Sequence, residues 1–211
     1  NKNFTESLKF IDLLYLSIDG YKESYEKFRP PSKWSKLINF LDELKKVDRH
    51  NCRITCNYVV NRENINDISK IDELCKEYSL EELRLNIAQD WSENKSLENT
   101  NFISGYSNEQ ISFLKENYAS NIKGKAPWTW SDCFWVKSGI YMTVDGNLKV
   151  CALNTDTKSL GNIFKDPVDK ILNSEKMNEI REGCINDIPS KHCENCSYKE
   201  LSPILEKLIC Q

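Results

Sequence analysis

The sequence predicts an α/β fold followed by a smaller α+β region that holds a metal. Three observations support this expectation: strand and helix patterns alternate up to Ile87, an Asp145-Gly146 turn marks a hairpin, and four of the cysteines, Cys133, Cys151, Cys193 and Cys196, form two separated half-sites. With 211 residues, 39% of them hydrophobic, the chain can bury one good core and a second small one, which indicates one to two domains.

The first part of the chain has a βαβαβ pattern. The three strand patterns cover residues 11–18, 53–60 and 83–87, and the two helix patterns cover residues 34–44 and 65–78. The nearly continuous apolar run at 11–18, closed by Asp19-Gly20, is typical of a buried parallel strand. Right-handed crossovers make such a sheet parallel, either within a barrel or in an open doubly wound sheet. No glycine-rich phosphate loop supports a dinucleotide-binding version. An incomplete barrel fits a sequence that lacks an initiator Met and enters a strand early, so we expect a fragment of a larger protein.

The second part has shorter elements. A polar loop over residues 89–106 ends at the capping signature Ser107-x-x-Gln110, before a helix. From Ala119 the composition changes, and a hairpin follows over residues 140–150. Further helices are expected over residues 166–173 and 174–181, and a last one from Tyr198. We therefore expect one domain over residues 1–120 and a second over residues 121–211.

Composition and charge narrow the class of protein. The net charge of −3 and the absence of a basic cluster argue against nucleic acid as a partner. No apolar run reaches membrane-spanning length and no targeting segment is visible, so no membrane partner is expected. Nine cysteines, an odd number without a secretion signal, indicate a reducing, cytoplasmic setting in which thiols serve metals or chemistry.

The cysteine spacing predicts a four-thiolate metal site. Cys193-x-x-Cys196 is a tight pair, and a hairpin brings Cys133 and Cys151 together at its open end. The alternative is that Cys133 and Cys151 are small buried hydrophobes, with the other two as a surface redox pair. Zinc and an iron–sulfur cluster both accept four thiolates. Because only one of the pairs is short, the spacing modestly favours a cluster.

These motifs together resemble a known family. Cys133, Gly146 with four residues between it and Cys151, the segments at 160–163 and 171–174, and Cys193-x-x-Cys196 are similar to radical S-adenosylmethionine enzymes with a C-terminal auxiliary-cluster extension of the SPASM or shortened twitch type. The resemblance implies an α/β fold in which the later strands of a partial (β/α)6 barrel precede a small α+β cluster domain. It covers nearly the whole chain, with its specific part over residues 128–200.

Two departures from the family pattern matter. Residues 197–209 contain no cysteine, so the resemblance is to the single-cluster form, with Cys133, Cys151, Cys193 and Cys196 as its ligands. Cys210 is a spare thiol or an odd ligand, and Cys184 lies outside the pattern. The family's Cys-x-x-x-Cys-x-x-Cys triad is absent, since Cys52 and Cys56 are followed by Val59. We expect the triad to precede this chain, which alone would be inactive.

The resemblance also implies ligands and chemistry. Ser17 and Asp19 would hydrogen-bond the ribose or methionine part of S-adenosylmethionine, and Arg29 would pair with its carboxylate. The alternative is that Asp19-Gly20 is merely a turn and Arg29 a solvated charge. The implied activity is reductive cleavage of S-adenosylmethionine and hydrogen abstraction from a small-molecule or peptide substrate, with an auxiliary [4Fe–4S] cluster for electron transfer. The complete protein would hold a second [4Fe–4S] cluster and accept electrons from a donor such as flavodoxin or ferredoxin. The rival is a non-catalytic zinc-stabilised binding module.

Overall fold

A computed structural model describes residues 2–89, 105–124, 128–152, 159–191, 193 and 196–209. The chain divides into two compact units. The N-terminal unit contains Asn1–Ala88, Asn94–Gly124 and Lys207–Gln211, and the C-terminal unit contains Gln89–Glu93 and Lys125–Glu206. The domain boundary expected between residues 120 and 121 stays a prediction. Within the described residues, no helix has the length and apolar character needed to cross a membrane.

The N-terminal unit is built on a parallel three-stranded sheet. Its strands are β1 (Leu13–Ser17), β2 (Arg53–Val60) and β3 (Glu82–Ile87), in the order β1-β2-β3. The helices are α1 (Lys2–Ser7), α2 (Glu23–Phe28), α3 (Trp34–Lys46), α4 (Ile68–Glu77) and α5 (Asn108–Tyr118), with short 3-10 turns at Leu8–Phe10, Ile65–Asp67 and Ala119–Asn121. The predicted βαβαβ order and parallel pairing are confirmed. The partial (β/α) barrel is not confirmed and stays a prediction.

One face of this sheet is apolar and buried. In β2 the side chains of Ile54, Cys56, Tyr58 and Val60 point to the same face and are fully buried. Leu83, Leu85 and Ile87 of β3 share that face by register and are also buried. Leu41 and Leu44 of α3 and the apolar stripe of α4 are likewise buried, as expected for helices that cover a sheet.

The opposite face is polar, which corrects one sequence expectation. The register places Ser17, Asn57 and Arg84 in one row across this face. The apolar run at 11–18 predicts a buried strand, yet Tyr15 is 47% exposed and Ser17 is exposed. The reason is that β1 pairs only with β2 in the described sheet, and its neighbours on this face are polar.

The start of α5 follows its sequence signal. The Ser107 hydroxyl accepts the Gln110 backbone N–H at 3.3 Å, and the Gln110 side chain accepts the Ser107 N–H at 3.0 Å. This reciprocal capping box satisfies two donors that a helix N-terminus otherwise leaves unpaired. The predicted helix start is confirmed.

The C-terminal unit contains a small antiparallel sheet of β4 (Tyr141–Met142), β5 (Asn147–Lys149) and β6 (Gly161–Asn162). Its helices are a 3-10 turn at Trp130–Asp132, then α6 (Phe134–Lys137), α7 (Val168–Leu172), α8 (Glu175–Ile185) and α9 (Ser197–Ile209), of which the unit includes the residues up to Glu206. The predicted hairpin turns at Gly146, where φ is +80°. A Cβ there would lie 2.6 Å from the Phe164 ring, so both conformation and space call for glycine.

Candidate metal centre and cofactor-binding residues

In the core of the C-terminal unit, cysteine side chains from distant parts of the sequence pack together. Its buried members are Trp128, Trp130, Val136, Val150, Ile180, Cys184 and Cys193, and Cys133, Leu160 and Cys196 pack against them. The rings of Trp128 and Trp130 meet edge to face at 5.1 Å between centroids. Such an apolar, aromatic lining limits the access of water to the sulfurs and lowers the local dielectric.

The structure brings three of the four predicted ligands together. Cys133 lies directly before α6, Cys196 directly before α9, and Cys193 is 9% exposed. The thiols of Cys133, Cys193 and Cys196 are close enough to interact electrostatically. Cys151 is half-buried and follows Val150, which belongs to the same core. In the described part of the chain, no three His, Cys, Asp or Glu side chains converge on a single ion-sized position. The ligand set stays a prediction.

Burial and contact with other thiols raise the pKa of two of the predicted ligands, Cys133 and Cys193. Burial raises the pKa of the Cys133 thiol. The pKa of Cys193 is raised by its hydrogen bond with Cys184 and by burial. Because the thiolate is the metal ligand, binding a metal here releases protons, and the charge of the metal replaces them.

Cys184 joins these three thiols although it lies outside the ligand set that the sequence predicts. It lies on α8, is 2% exposed, and its side chain is hydrogen-bonded to Cys193. It also interacts electrostatically with Cys133 and Cys196. The signal that would have found it is helical periodicity, since Met177, Ile180 and Cys184 form one buried stripe. Cys210 and His192 lie outside the described residues.

The chain turns back sharply at the end of α8. The Asp187 N–H donates to the Cys184 carbonyl at 3.2 Å, and the Ile188 N–H donates to the Gly183 carbonyl at 2.8 Å. A Cβ at Gly183 would lie 2.6 Å from the Ile188 carbonyl oxygen. Glycine is therefore needed for the loop to pack this closely against the helix end.

The same loop is tied to the segment before Cys133. The Asp187 carboxylate accepts the backbone N–H of Trp130 at 2.8 Å. Further along, the Cys193 N–H donates to the Ser190 carbonyl at 2.8 Å, which closes a tight turn. These hydrogen bonds place the loop from α8 to Cys193 beside the first half-site.

A first prediction concerns Gly183. Gly183→Ala introduces a methyl group against the Ile188 carbonyl oxygen, so we expect the free energy of unfolding of the chain to fall by about 1–3 kcal/mol. Urea denaturation followed by circular dichroism measures this change. Glu179→Ala, at an exposed position of the same helix, is the control and is expected to change stability by less than about 0.5 kcal/mol. Equal stability of Gly183→Ala and the control would contradict the steric argument.

In the N-terminal unit, Asp19 and Arg29 form an ion pair at the C-terminal end of β1. The Asp19 carboxylate accepts Arg29 Nε at 2.5 Å and the Val59 N–H at 2.7 Å. Asn64 donates to the Asp19 carbonyl at 3.1 Å. Asp19 is 6% exposed, and each of its carboxylate oxygens accepts one of these hydrogen bonds. The side chain therefore has a structural role. Contacts of Ser17, Asp19 and Arg29 with S-adenosylmethionine stay a prediction.

Further polar residues share a face with Ser17, and the sequence alone did not settle their orientation. Asn86 Nδ2 donates to Asn57 Oδ1 at 2.7 Å across the polar face of the sheet. Arg84 reaches over the Tyr15 ring, 5.3 Å from its centroid, and donates to its hydroxyl at 3.1 Å. The buried Nε of Arg84 has no acceptor within the described residues. This face therefore offers amide and guanidinium donors.

Comparison with known proteins finds one family model that matches the C-terminal segment. Residues 133–197 match the family model of the SPASM iron–sulfur cluster-binding domain. The match begins at the first predicted ligand, Cys133, and ends one residue after the last, Cys196. No match was found among the curated proteins.

Two solved structures share the fold of the chain. Streptococcus suis SuiB bound to S-adenosylmethionine aligns with a TM-score of 0.56 and 11% identity, over 95% of this chain and 51% of that chain. Native anSMEcpe with bound AdoMet and Cp18Cys peptide aligns with a TM-score of 0.51 and 17% identity, over 94% of this chain and 62% of that chain. The chain thus spans between half and two thirds of these proteins. Residues 133–197 are thus similar to SPASM iron–sulfur cluster-binding domains, and the chain shares its fold with these two S-adenosylmethionine-bound proteins.

Proposed function

We propose that this chain is part of a radical S-adenosylmethionine enzyme and binds one auxiliary [4Fe–4S] cluster through Cys133, Cys151, Cys193 and Cys196. The observation that carries the proposal is the meeting of thiols from both half-sites in one tryptophan-lined core, inside the matched SPASM segment. Thiolate sulfur is the ligand that iron–sulfur clusters take from proteins.

The residues of the core have separate tasks in this proposal. The four thiolates hold the cluster, and Trp128 and Trp130 keep water from it. When bound, the cluster supplies one-electron transfer. Because all four ligands come from the protein, electron transfer is favoured over direct binding of substrate to iron.

The activity of the complete protein is part of the same proposal. It would cleave S-adenosylmethionine reductively and abstract a hydrogen atom from substrate, using a second [4Fe–4S] cluster on a cysteine triad that residues 1–211 lack. Arg29 is the candidate for the carboxylate of S-adenosylmethionine, since its pair with Asp19 uses only Nε. Within the described residues its two terminal nitrogens donate no hydrogen bond, so they are available to a bidentate acceptor. An electron donor such as flavodoxin or ferredoxin would supply the reducing electron.

The polar face of the parallel sheet is the candidate surface for substrate. Ser17, Asn57, Arg84 and Asn86 offer hydrogen-bond donors and acceptors on this face. Ser17 and Asn86 lie at or next to the C-terminal ends of β1 and β3, where parallel α/β folds bind ligands. The solved anSMEcpe structure carries a peptide. A peptide or a small polar molecule is therefore the substrate class that we propose.

Anaerobic reconstitution with iron and sulfide tests the metal site. We expect the purified chain to retain about four iron and four sulfide per polypeptide after desalting, with a broad visible absorption that bleaches on reduction. Metal analysis, sulfide determination and absorption spectroscopy provide the measurement. A colourless chain that holds only zinc would contradict the proposal and support a zinc-stabilised binding module.

A further inference from the structure

The sulfur of Cys193 has a hydroxyl beside it that the ligand set does not use. Ser190 lies three residues before Cys193, and its side chain contacts the Cys193 sulfur. The Ser190 hydroxyl is buried and completes no hydrogen bond within the described residues. A buried hydroxyl without a good partner is unfavourable, because it has lost its hydrogen bonds to water. The position therefore needs an acceptor stronger than a neutral thiol.

The position of this hydroxyl is fixed by the backbone. The Cys193 N–H donates to the Ser190 carbonyl at 2.8 Å, so the two residues occupy the ends of one turn. The preceding loop is held by the Ile188–Gly183 hydrogen bond and by the Asp187–Trp130 hydrogen bond. Ser190 is thus presented to the sulfur by a closed turn and a doubly anchored loop.

Binding of a cluster changes what the sulfur can accept. A neutral thiol is a weak acceptor, whereas a thiolate is negatively charged and forms charge-assisted hydrogen bonds. Within the low dielectric of the tryptophan-lined core such a bond is stronger than in water. The partner that Ser190 lacks is therefore the iron-bound form of Cys193.

We infer that Ser190 is a positioning residue for the auxiliary cluster: its hydroxyl donates to the Cys193 thiolate and raises the reduction potential of the cluster. The inference rests on the proposed function. Reduction adds one electron to the cluster and breaks no bond, so it increases the negative charge on the sulfurs. A hydrogen-bond donor at a ligand sulfur stabilises that added charge more than it stabilises the oxidised state.

The experiment compares variants at position 190 in the reconstituted chain. Ser190→Thr and Ser190→Val have nearly the same shape and differ in the hydroxyl. We expect both to bind as much iron and sulfide as wild type, Ser190→Thr to keep the wild-type potential, and Ser190→Val to disfavour reduction about tenfold. For a one-electron couple a tenfold change is about 59 mV. Potentials are measured by redox titration monitored by electron paramagnetic resonance.

A second serine serves as the matched control. The Ser202 hydroxyl is also buried, but it accepts the Trp128 N–H at 3.2 Å and donates to Glu206 at 3.0 Å, so it is engaged elsewhere. Ser202→Ala is expected to lower the free energy of unfolding and leave the potential unchanged.

Three outcomes would overturn the inference. The first is equal potentials for Ser190→Thr and Ser190→Val, and the second is an equal shift in Ser202→Ala. The third is a wild-type chain that binds no cluster, and this outcome is distinguishable because it appears in the iron and sulfide content of wild type before any variant is compared. If Ser190→Val loses iron while Ser190→Thr retains it, the wild-type cluster is examined for coupling to exchangeable protons in its electron paramagnetic resonance spectrum. Coupling from a hydroxyl proton supports the inference. The absence of such coupling overturns it.

Discussion

Replacing Cys193 by serine is expected to remove the auxiliary cluster from the chain. Cys193 is the most deeply buried of the four predicted ligands in the described core, and Cys133 and Cys196 lie near it. A serine hydroxyl at this place does not ionise near neutral pH and is a poor ligand for iron. We expect the iron retained after reconstitution and desalting to fall about tenfold or more, together with the visible absorption.

The control for this experiment is the thiol that contacts Cys193 without belonging to the predicted set. Cys184→Ser keeps a small polar group at the same buried position, and we expect it to retain the cluster. Cys151→Ser is expected to lose the cluster, as Cys193→Ser does. If Cys184→Ser loses iron and Cys151→Ser keeps it, then Cys184 is a ligand and the set predicted from spacing is wrong.

The parts of the fold that the sequence predicts are those governed by local patterns. The β-branched run at Arg53–Val60 forms β2 with these bounds, since it becomes the central strand and is paired on both sides. The signature Ser107-x-x-Gln110 forms a capping box because both of its hydrogen bonds lie within one turn of helix. The similarity to SPASM domains was predictable from the sequence for the same reason, because the SPASM pattern consists largely of cysteines at set spacings.

The parts that it did not predict depend on contacts distant in sequence. Whether the 11–18 run is buried on one face or both depends on which strands lie beside β1, and an apolar run contains no such information. Cys184 joins the other thiols only because the chain turns back at Gly183. The hydrogen bonds that the Asp19 carboxylate accepts from Arg29 and Val59 likewise depend on the packing of a loop against β2.

Replacing Asp19 by alanine is expected to destabilise the N-terminal unit strongly. The β1–β2 ladder ends at the hydrogen bond from Ile18 N–H to the Asn57 carbonyl, and the Val59 N–H is then taken by the Asp19 carboxylate. Without that carboxylate, Val59 N–H and Arg29 Nε both lose their acceptor. We expect the free energy of unfolding to fall by about 2–4 kcal/mol, measured by urea denaturation.

Two comparison variants determine what Asp19 and its neighbours do. Ser17→Ala, at an exposed position of the same strand end, is expected to change stability by less than about 0.5 kcal/mol. Arg29→Ala is expected to lower the free energy of unfolding less than Asp19→Ala, because the Arg29 side chain is 36% exposed and Val59 keeps its acceptor.

A double-mutant cycle between Asp19 and Arg29 should give a coupling free energy of about 1–3 kcal/mol. A coupling near zero, with Asp19→Ala as stable as wild type, would remove the structural task from Asp19 and leave its carboxylate available for a ligand.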